Sequence, residues 1–139
     1  MLVVMLALVA CSEPESSEDP FADEVVAFTP GPDSNFGHDR LPEIVLGPPG
    51  GSLDVASLGC GGEIIVRFDE PGIVEGPGVD LLVFENAFAT SFPEPGEVSV
   101  SDDGETWWVF ECDPVSLVGC AGITPTAELA HPTDPARAG

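Results

Sequence analysis

Short apolar runs, separated by glycine, proline and aspartate, occupy the chain from residue 25 to residue 120. Residues 63–69 alternate between apolar and polar positions, which is the period of a half-buried β-strand. Residues 80–86 are apolar on both faces through their middle, as in a central strand. No window carries the sustained apolar stripe and caps of an amphipathic helix. The pattern therefore predicts an all-β domain.

Two further runs, residues 97–101 and 107–111, flank a turn at Asp102-Asp103-Gly104-Glu105. Short strands joined by a glycine-containing turn favour a β-hairpin. Residues 43–46 are predicted to add a short strand before the glycine- and proline-rich residues 47–51. Several short strands at regular spacing are typical of a β-sandwich, and a jelly roll is one form that would fit.

The N-terminal residues 1–10 form an apolar run without a charge. This run is too short to span a bilayer, which needs about 20 residues, but it has the length of a signal-peptide core. It ends in Leu8-Val9-Ala10-Cys11, which resembles the lipobox of bacterial lipoproteins. The resemblance implies export, cleavage before Cys11 and lipidation of Cys11, and Ser12 implies delivery to the outer membrane or cell surface. The alternative is a buried N-terminal strand or helix.

The composition changes twice after Cys11. Residues 11–24 are rich in acid and contain two prolines, so self-repulsion predicts an extended, disordered tether. Residues 25–124 are expected to form the β-sandwich domain. Residues 125–139, rich in alanine, proline and threonine, are expected to form an irregular tail.

The charge of the chain limits its partners. The formal net charge is −22, and the three basic residues are all arginines. Such a field repels nucleic acids and anionic membrane surfaces, so membrane contact is expected through the lipid anchor only. It favours cations, above all Ca²⁺, or a basic protein surface. The alternative is that the acids only keep a surface protein soluble.

The cysteines are consistent with an oxidising compartment. Cys112 and Cys120 flank a short loop that a disulfide would close, stabilising the fold by about 2.5 kcal/mol through chain entropy. Cys60, between glycines at the entrance to a strand, is expected to be a small packed thiol. A nucleophilic role would need a nearby histidine, and neither His38 nor His131 is placed there by the sequence.

Two groups of oxygen-bearing residues are candidate Ca²⁺ ligands. Asp33, Asn35 and Asp39 alternate around Gly37, a spacing that lets a loop wrap its oxygens around one ion. The match to an EF-hand is partial, and the same residues are ordinary turn formers. The second group is predicted at the ends of the strand at residues 80–86, and it comprises Asp80, Glu85 and Asn86. The alternative for this group is simple strand termination.

Residues 102–107 resemble the Asp-box of sialidases and other β-propellers, with Val100 standing where that motif has serine. The resemblance implies a structural turn in which Asp102 caps backbone amides and Gly104 takes a positive φ. One copy in this short chain does not build a propeller. Adjacent tryptophans on a strand point to opposite faces, so one of the pair Trp107 and Trp108 is expected in the core. Trp108 is the candidate for an outward ligand contact.

A second resemblance spans roughly residues 28–124. It rests on Phe36-Gly37 and on residues 46–51, 57–62, 76–80, 83–88 and 98–104. Together these segments resemble an uncharacterised family of bacterial cell-surface proteins and lipoproteins. The resemblance implies a secreted, β-rich domain and carries no catalytic residues. Family members continue with further strands, which leaves open that residues 25–124 form an incomplete domain.

These observations predict a lipid-anchored surface protein with a non-catalytic binding or adhesion domain. Its expected ligand is an extracellular glycan or protein, with Ca²⁺ as a candidate cofactor. One alternative is a spacer whose only role is display. Another is a hydrolase of envelope polymers that uses paired carboxylates such as Asp80 and Glu85.

Overall fold

The computed structural model describes residues 20–50, 53–84 and 94–123, and every structural statement below concerns these residues. In chain order they contain strand β1 (Glu24–Thr29), two single 3₁₀ turns (His38–Arg40 and Glu43–Val45), and strand β2 (Glu63–Arg67). Two short strands follow, β3 (Ser99–Val100) and β4 (Trp108–Val109). The described chain is therefore strand and coil with very little helix, which confirms the β-rich class.

Strands β1 and β2 form a two-stranded antiparallel sheet. Glu24 lies opposite Arg67, and their side chains form an ion pair of 2.6 Å across the strands. The register shifts between Val25 and Ala27, so Val26 occupies a bulge. The strand predicted at residues 63–69 is confirmed over Glu63–Arg67, whereas the sequence pattern did not predict β1.

Strands β3 and β4 form a second antiparallel pair, which confirms the predicted hairpin. Val100 lies opposite Trp108, and the Phe110 amide donates to the Val98 carbonyl oxygen at 2.9 Å. Gly96 and Ala121 exchange two backbone hydrogen bonds of 2.9 and 3.0 Å. The hairpin is thereby tied to the segment that follows it.

Two predicted strands do not form in the described chain. Residues 43–46 were predicted as a strand, and that prediction is wrong: Glu43–Val45 is a 3₁₀ turn. Pro42 lies in the helical region and its carbonyl oxygen accepts the Val45 amide at 3.1 Å, which closes the turn. Residues 80–84 are not in a strand. The end of the predicted strand at residues 80–86, from Glu85 onwards, lies outside the described residues.

The described core is small. Only Ile44 and Cys120 are buried apolar side chains within the described ranges, each with 6% of its surface exposed. Ile44 lies against Gly37, and Cys120 closes the C-terminal loop by bonding to Cys112. The two sheets each have two strands, and whether they pack as a sandwich stays a prediction.

Several predictions fall on other parts of the chain. The predicted signal peptide, the lipidation site at Cys11, most of the acidic linker and the C-terminal tail lie outside the described residues. β1 begins at Glu24, the last residue assigned to that linker. None of the described residues belongs to a helix long and apolar enough to cross a membrane.

Candidate functional site

The turn between β3 and β4 is held by two side chains. The Asp103 carboxylate accepts hydrogen bonds from the amides of Glu105 and Thr106 at 2.8 and 2.7 Å, and from the Ser101 hydroxyl at 3.1 Å. The Ser101 oxygen in turn accepts the amides of Asp103 and Gly104 at 3.3 and 2.8 Å. Gly104 takes a φ of 72°, which favours glycine. These bonds fix the geometry of the hairpin.

The capping aspartate differs from the one that the Asp-box alignment implies. Asp102 was expected to cap the turn, but Asp103 does so, and Asp102 is exposed without a hydrogen bond to another described residue. The physical reason is the position of the hydroxyl. Because Ser101, and not Val100, carries the oxygen that accepts the turn amides, the polar turn begins one residue later. The predicted positive φ at Gly104 is confirmed.

The hydrogen bonds to Asp103 predict acid sensitivity of the hairpin. The Thr106 and Glu105 amides stabilise the carboxylate and lower the pKa of Asp103 from 3.8 to about 2. Since the pKa is lower in the folded state, this stabilisation is complete above the unfolded pKa and is lost as pH falls from about 4 through about 2. Tryptophan fluorescence melts should therefore show a falling hairpin melting temperature over this range.

Two matched variants check this prediction. In Asp103→Asn, the fall of melting temperature with acid should be weaker than in the wild type. Asp102→Asn removes a neighbouring carboxylate that lacks these hydrogen bonds, so it should keep the wild-type pH dependence. Asp113, whose pKa is lowered by the Ser116 hydroxyl and the Val115 amide, is common to all three proteins. Identical pH profiles for the wild type and Asp103→Asn would contradict the assignment.

The hairpin exposes four consecutive large apolar side chains. Trp107, Trp108, Val109 and Phe110 have 39%, 55%, 54% and 54% of their surface exposed. The expectation that one of the two tryptophans lies in the core is therefore wrong. Alternation still sends them to opposite faces, but β4 pairs only with β3 among the described residues, and neither face is buried. The placement of Trp108 outward is consistent with a ligand contact.

The surroundings of this apolar run are uniformly acidic. Residues 94–123 contain no lysine, arginine or histidine. Their carboxylates are Glu94, Glu97, Asp102, Asp103, Glu105, Glu111 and Asp113. The ion pairs of the described chain lie elsewhere and use Arg40 and Arg67. The hairpin therefore combines an exposed aromatic surface with a negative field.

The first predicted Ca²⁺ loop is an exposed connection. Asp33, Asn35 and Asp39 are all exposed, and Asp33 takes a φ of 62°. Asp39 lies in the first 3₁₀ turn, His38–Arg40. Within the part of the chain that the structure describes, no three His, Cys, Asp or Glu side chains are grouped closely enough to hold a metal ion.

The contacts that hold this loop were missed by the sequence reasoning. Nε2 of His38 forms a hydrogen bond with the Ser57 carbonyl oxygen at 2.7 Å. The His38 and Phe28 rings pack edge to face, with their centroids 4.8 Å apart. The Arg40 guanidinium donates to the Leu53 carbonyl oxygen at 3.0 Å and pairs with Asp54 at 2.8 Å. Their partners are distant in sequence, so no local pattern indicates them.

The second predicted ligand group is only partly described. Asp80 accepts a hydrogen bond from the Gly76 amide at 2.9 Å, which closes a local loop. Glu85 and Asn86 lie outside the described residues. The grouping of these three ligands therefore stays a prediction.

One of the two cysteine predictions is confirmed and the other is wrong. The predicted disulfide between Cys112 and Cys120 is present. The prediction that Cys60 is a packed thiol is wrong, because its side chain is free and exposed. Cys60 and Gly61 lie in a turn that is closed by the Gly62 amide donating to the Gly59 carbonyl oxygen at 3.0 Å, and the neighbouring glycines have no side chains to cover the sulfur.

Comparison with known proteins returns no relative. The chain matches no protein-family model, no curated protein and no solved structure. The resemblances to lipoproteins and to a cell-surface family therefore stay predictions from the sequence.

Proposed function

We propose that this chain is an exported, lipid-anchored surface protein whose β-domain binds a ligand and does not catalyse a reaction. The observation that carries the proposal is the exposed run from Trp107 to Phe110 on a hairpin whose turn is fixed by side-chain hydrogen bonds. Exposed aromatic side chains on a rigid support are typical of ligand-contact surfaces, because they bury a large area at little cost in conformational entropy. Trp108, the most exposed aromatic side chain of the run, is the proposed contact.

The two sheets are proposed to belong to a β-sandwich. Their antiparallel pairing and short strands support this arrangement, in which β4 is an edge strand at the rim and the side chains on both of its faces are only partly covered. Amide hydrogen exchange tests the sandwich: protection limited to the β1–β2 and β3–β4 pairs, without a common slow-exchanging core, would contradict it.

The anchor is proposed at Cys11, from the lipobox-like residues 8–11. Labelled palmitate should be incorporated by the wild type and by Cys60→Ser, which removes the exposed thiol, but not by Cys11→Ser. Labelling of Cys11→Ser would contradict the anchor. The result would leave the binding proposal standing, because binding depends on other residues.

The binding proposal is tested by calorimetry on the full chain with a neutral oligosaccharide, chitotetraose, as the first probe. Sugar rings stack on exposed tryptophan, so we expect saturable binding that Trp108→Ala weakens about tenfold, as truncating an aromatic contact commonly does. Val26→Ser changes an exposed strand residue in the other sheet and should leave binding unchanged. Equal loss in both variants would contradict a contact centred on Trp108.

Calcium dependence is proposed from the oxygen-bearing residues Asp33, Asn35 and Asp39 and from the strongly negative charge. Adding Ca²⁺ should raise the melting temperature by several degrees, and EDTA should reverse the rise. Asp39→Asn should weaken this response. A cooperative melt that is indifferent to both Ca²⁺ and EDTA would remove calcium from the proposal.

The display and hydrolase alternatives have weaker support. A pure spacer gives no reason for an exposed aromatic run. A carboxylate pair formed by Asp80 and Glu85 would have to use a group that already accepts the Gly76 amide.

A further inference from the structure

Strand β4 is exposed on both of its faces. Side chains alternate along a strand, so Trp108 and Phe110 share one face, while Trp107 and Val109 share the other. All four side chains are exposed by more than a third of their surface. Edge strands of this kind are normally covered or blunted by charge, because they template pairing with another chain.

The backbone of β4 also has an open edge. The Phe110 amide donates to the Val98 carbonyl oxygen at 2.9 Å, and Ser99 lies opposite Val109 in the next pair. Bonded and non-bonded pairs alternate in an antiparallel ladder, so the N–H and C=O of Val109 point away from β3. The described sheet has two strands, and no third described strand meets this edge.

The negative charge around the open edge of β4 favours a positively charged partner. The hairpin carries Asp102 and Glu105 in its turn and Glu111 after β4, and residues 94–123 contain no basic side chain. A neutral glycan gains no charge–charge attraction from these carboxylates, and an anionic glycan is repelled by them. A peptide with lysine or arginine gains from the acids and from cation–π contact with an exposed tryptophan.

From the open edge, the exposed faces and the acidic field together, we propose that β4 binds an extended, basic protein segment, which adds as a third strand beside Val109. This inference rests on the proposed binding function and deepens it by naming the partner's chemistry. Main-chain hydrogen bonds to the edge would supply the pairing, and alternate side chains of the segment would reach Trp108 and the acids.

The test is calorimetry on the full chain with an octapeptide of alternating lysine and valine. We expect saturable binding that weakens at least tenfold when the salt concentration rises from about 0.05 M to about 0.5 M. A peptide with glutamate in place of lysine should not bind. N-methylation of one alternate set of peptide nitrogens should abolish binding, while methylation of the other set should be tolerated, because only one set faces β4.

Two valines provide a matched pair of variants. Val109 and Val26 are both strand residues with 54% of their surface exposed, one on β4 and the other on β1. Val109→Ser should weaken binding of the octapeptide, and Val26→Ser should not. Trp108→Ala should weaken it about tenfold, and circular dichroism should show that all three variants remain folded.

The outcomes separate this inference from the function on which it rests. Equal tolerance of both methylation patterns would overturn strand addition in favour of unspecific charge attraction. Equal binding by the two valine variants, whether lost or retained, would overturn a contact at β4. Binding of chitotetraose through Trp108 without binding of the octapeptide would overturn the basic partner and keep the proposed function. Binding of neither probe would overturn both.

Discussion

Replacing Gly37 by alanine should lower the free energy of unfolding by about 2–4 kcal/mol, one of the two largest effects expected in this chain. Gly37 is buried and has a φ of 76°. A Cβ atom there would overlap the Val55 carbonyl oxygen and lie 3.1 Å from Cδ1 of Ile44. The backbone oxygen cannot move aside as a flexible side chain could, so the loop must shift away from residues 53–58.

Gly47→Ala is the control for this prediction. Gly47 has nearly the same dihedral, with a φ of 79°, but a Cβ there meets no atom within 4 Å. The Gly47→Ala variant should therefore lose only about 1 kcal/mol of unfolding free energy, the cost of placing alanine at a positive φ. Urea denaturation followed by far-UV circular dichroism measures both variants. Equal losses would mean that the contact with Val55 adds nothing, contrary to the packing described.

Removing the disulfide should lower the free energy of unfolding by an amount similar to that expected for Gly37→Ala. Cys112 and Cys120 are separated by eight positions. Closing a loop of that length lowers the conformational entropy of the unfolded chain, which stabilises the fold by about 2.5 kcal/mol. The native loop has its own hydrogen bonds, from the Val115 amide to Asp113 at 2.9 Å and from the Ser116 hydroxyl to Asp113 at 2.7 Å. The double variant Cys112→Ser/Cys120→Ser should therefore fold, but with a lower urea midpoint.

Cys60→Ser is the matched control for the cysteine variants. Its thiol is free and exposed, so its replacement should leave the midpoint unchanged. Reduction of the wild type with a thiol reagent should reproduce the loss seen in the double variant. A midpoint unaffected by both reduction and the double substitution would contradict a stabilising role for the crosslink.

Local patterns predicted the parts of the fold that depend on local physics. The β3–β4 hairpin follows from two apolar runs around a glycine-containing turn, and β2 follows from alternation at residues 63–69. Strand β1 was missed because its apolar run at residues 25–28 is continuous and contains a bulge, so it shows no clean alternation. The short run at residues 43–46 was wrongly predicted as a strand. A pattern of only four residues is too short to distinguish a strand from a 3₁₀ turn.

Burial was the least predictable property of the candidate site. Alternation places Trp107 and Trp108 on opposite faces, but whether a further layer covers either face depends on distant segments. Likewise, the glycine-rich sequence around Cys60 led to the expectation of a packed thiol. Those glycines instead leave the thiol without covering side chains, and it is exposed. The capping role of Asp103 had a local signal in Ser101, which the motif alignment placed at an unmatched position.

The central claim is that ligand contact is centred on Trp108, and tryptophan emission of the full chain tests it most directly. The chain has two tryptophans, and both lie on the hairpin. Titration with the lysine–valine octapeptide or with chitotetraose should shift the emission to shorter wavelength as water leaves the indole ring. Trp108→Ala, which retains Trp107 as a reporter, should lose most of this shift. A ligand that binds by calorimetry yet leaves the wild-type emission unchanged would contradict the claim.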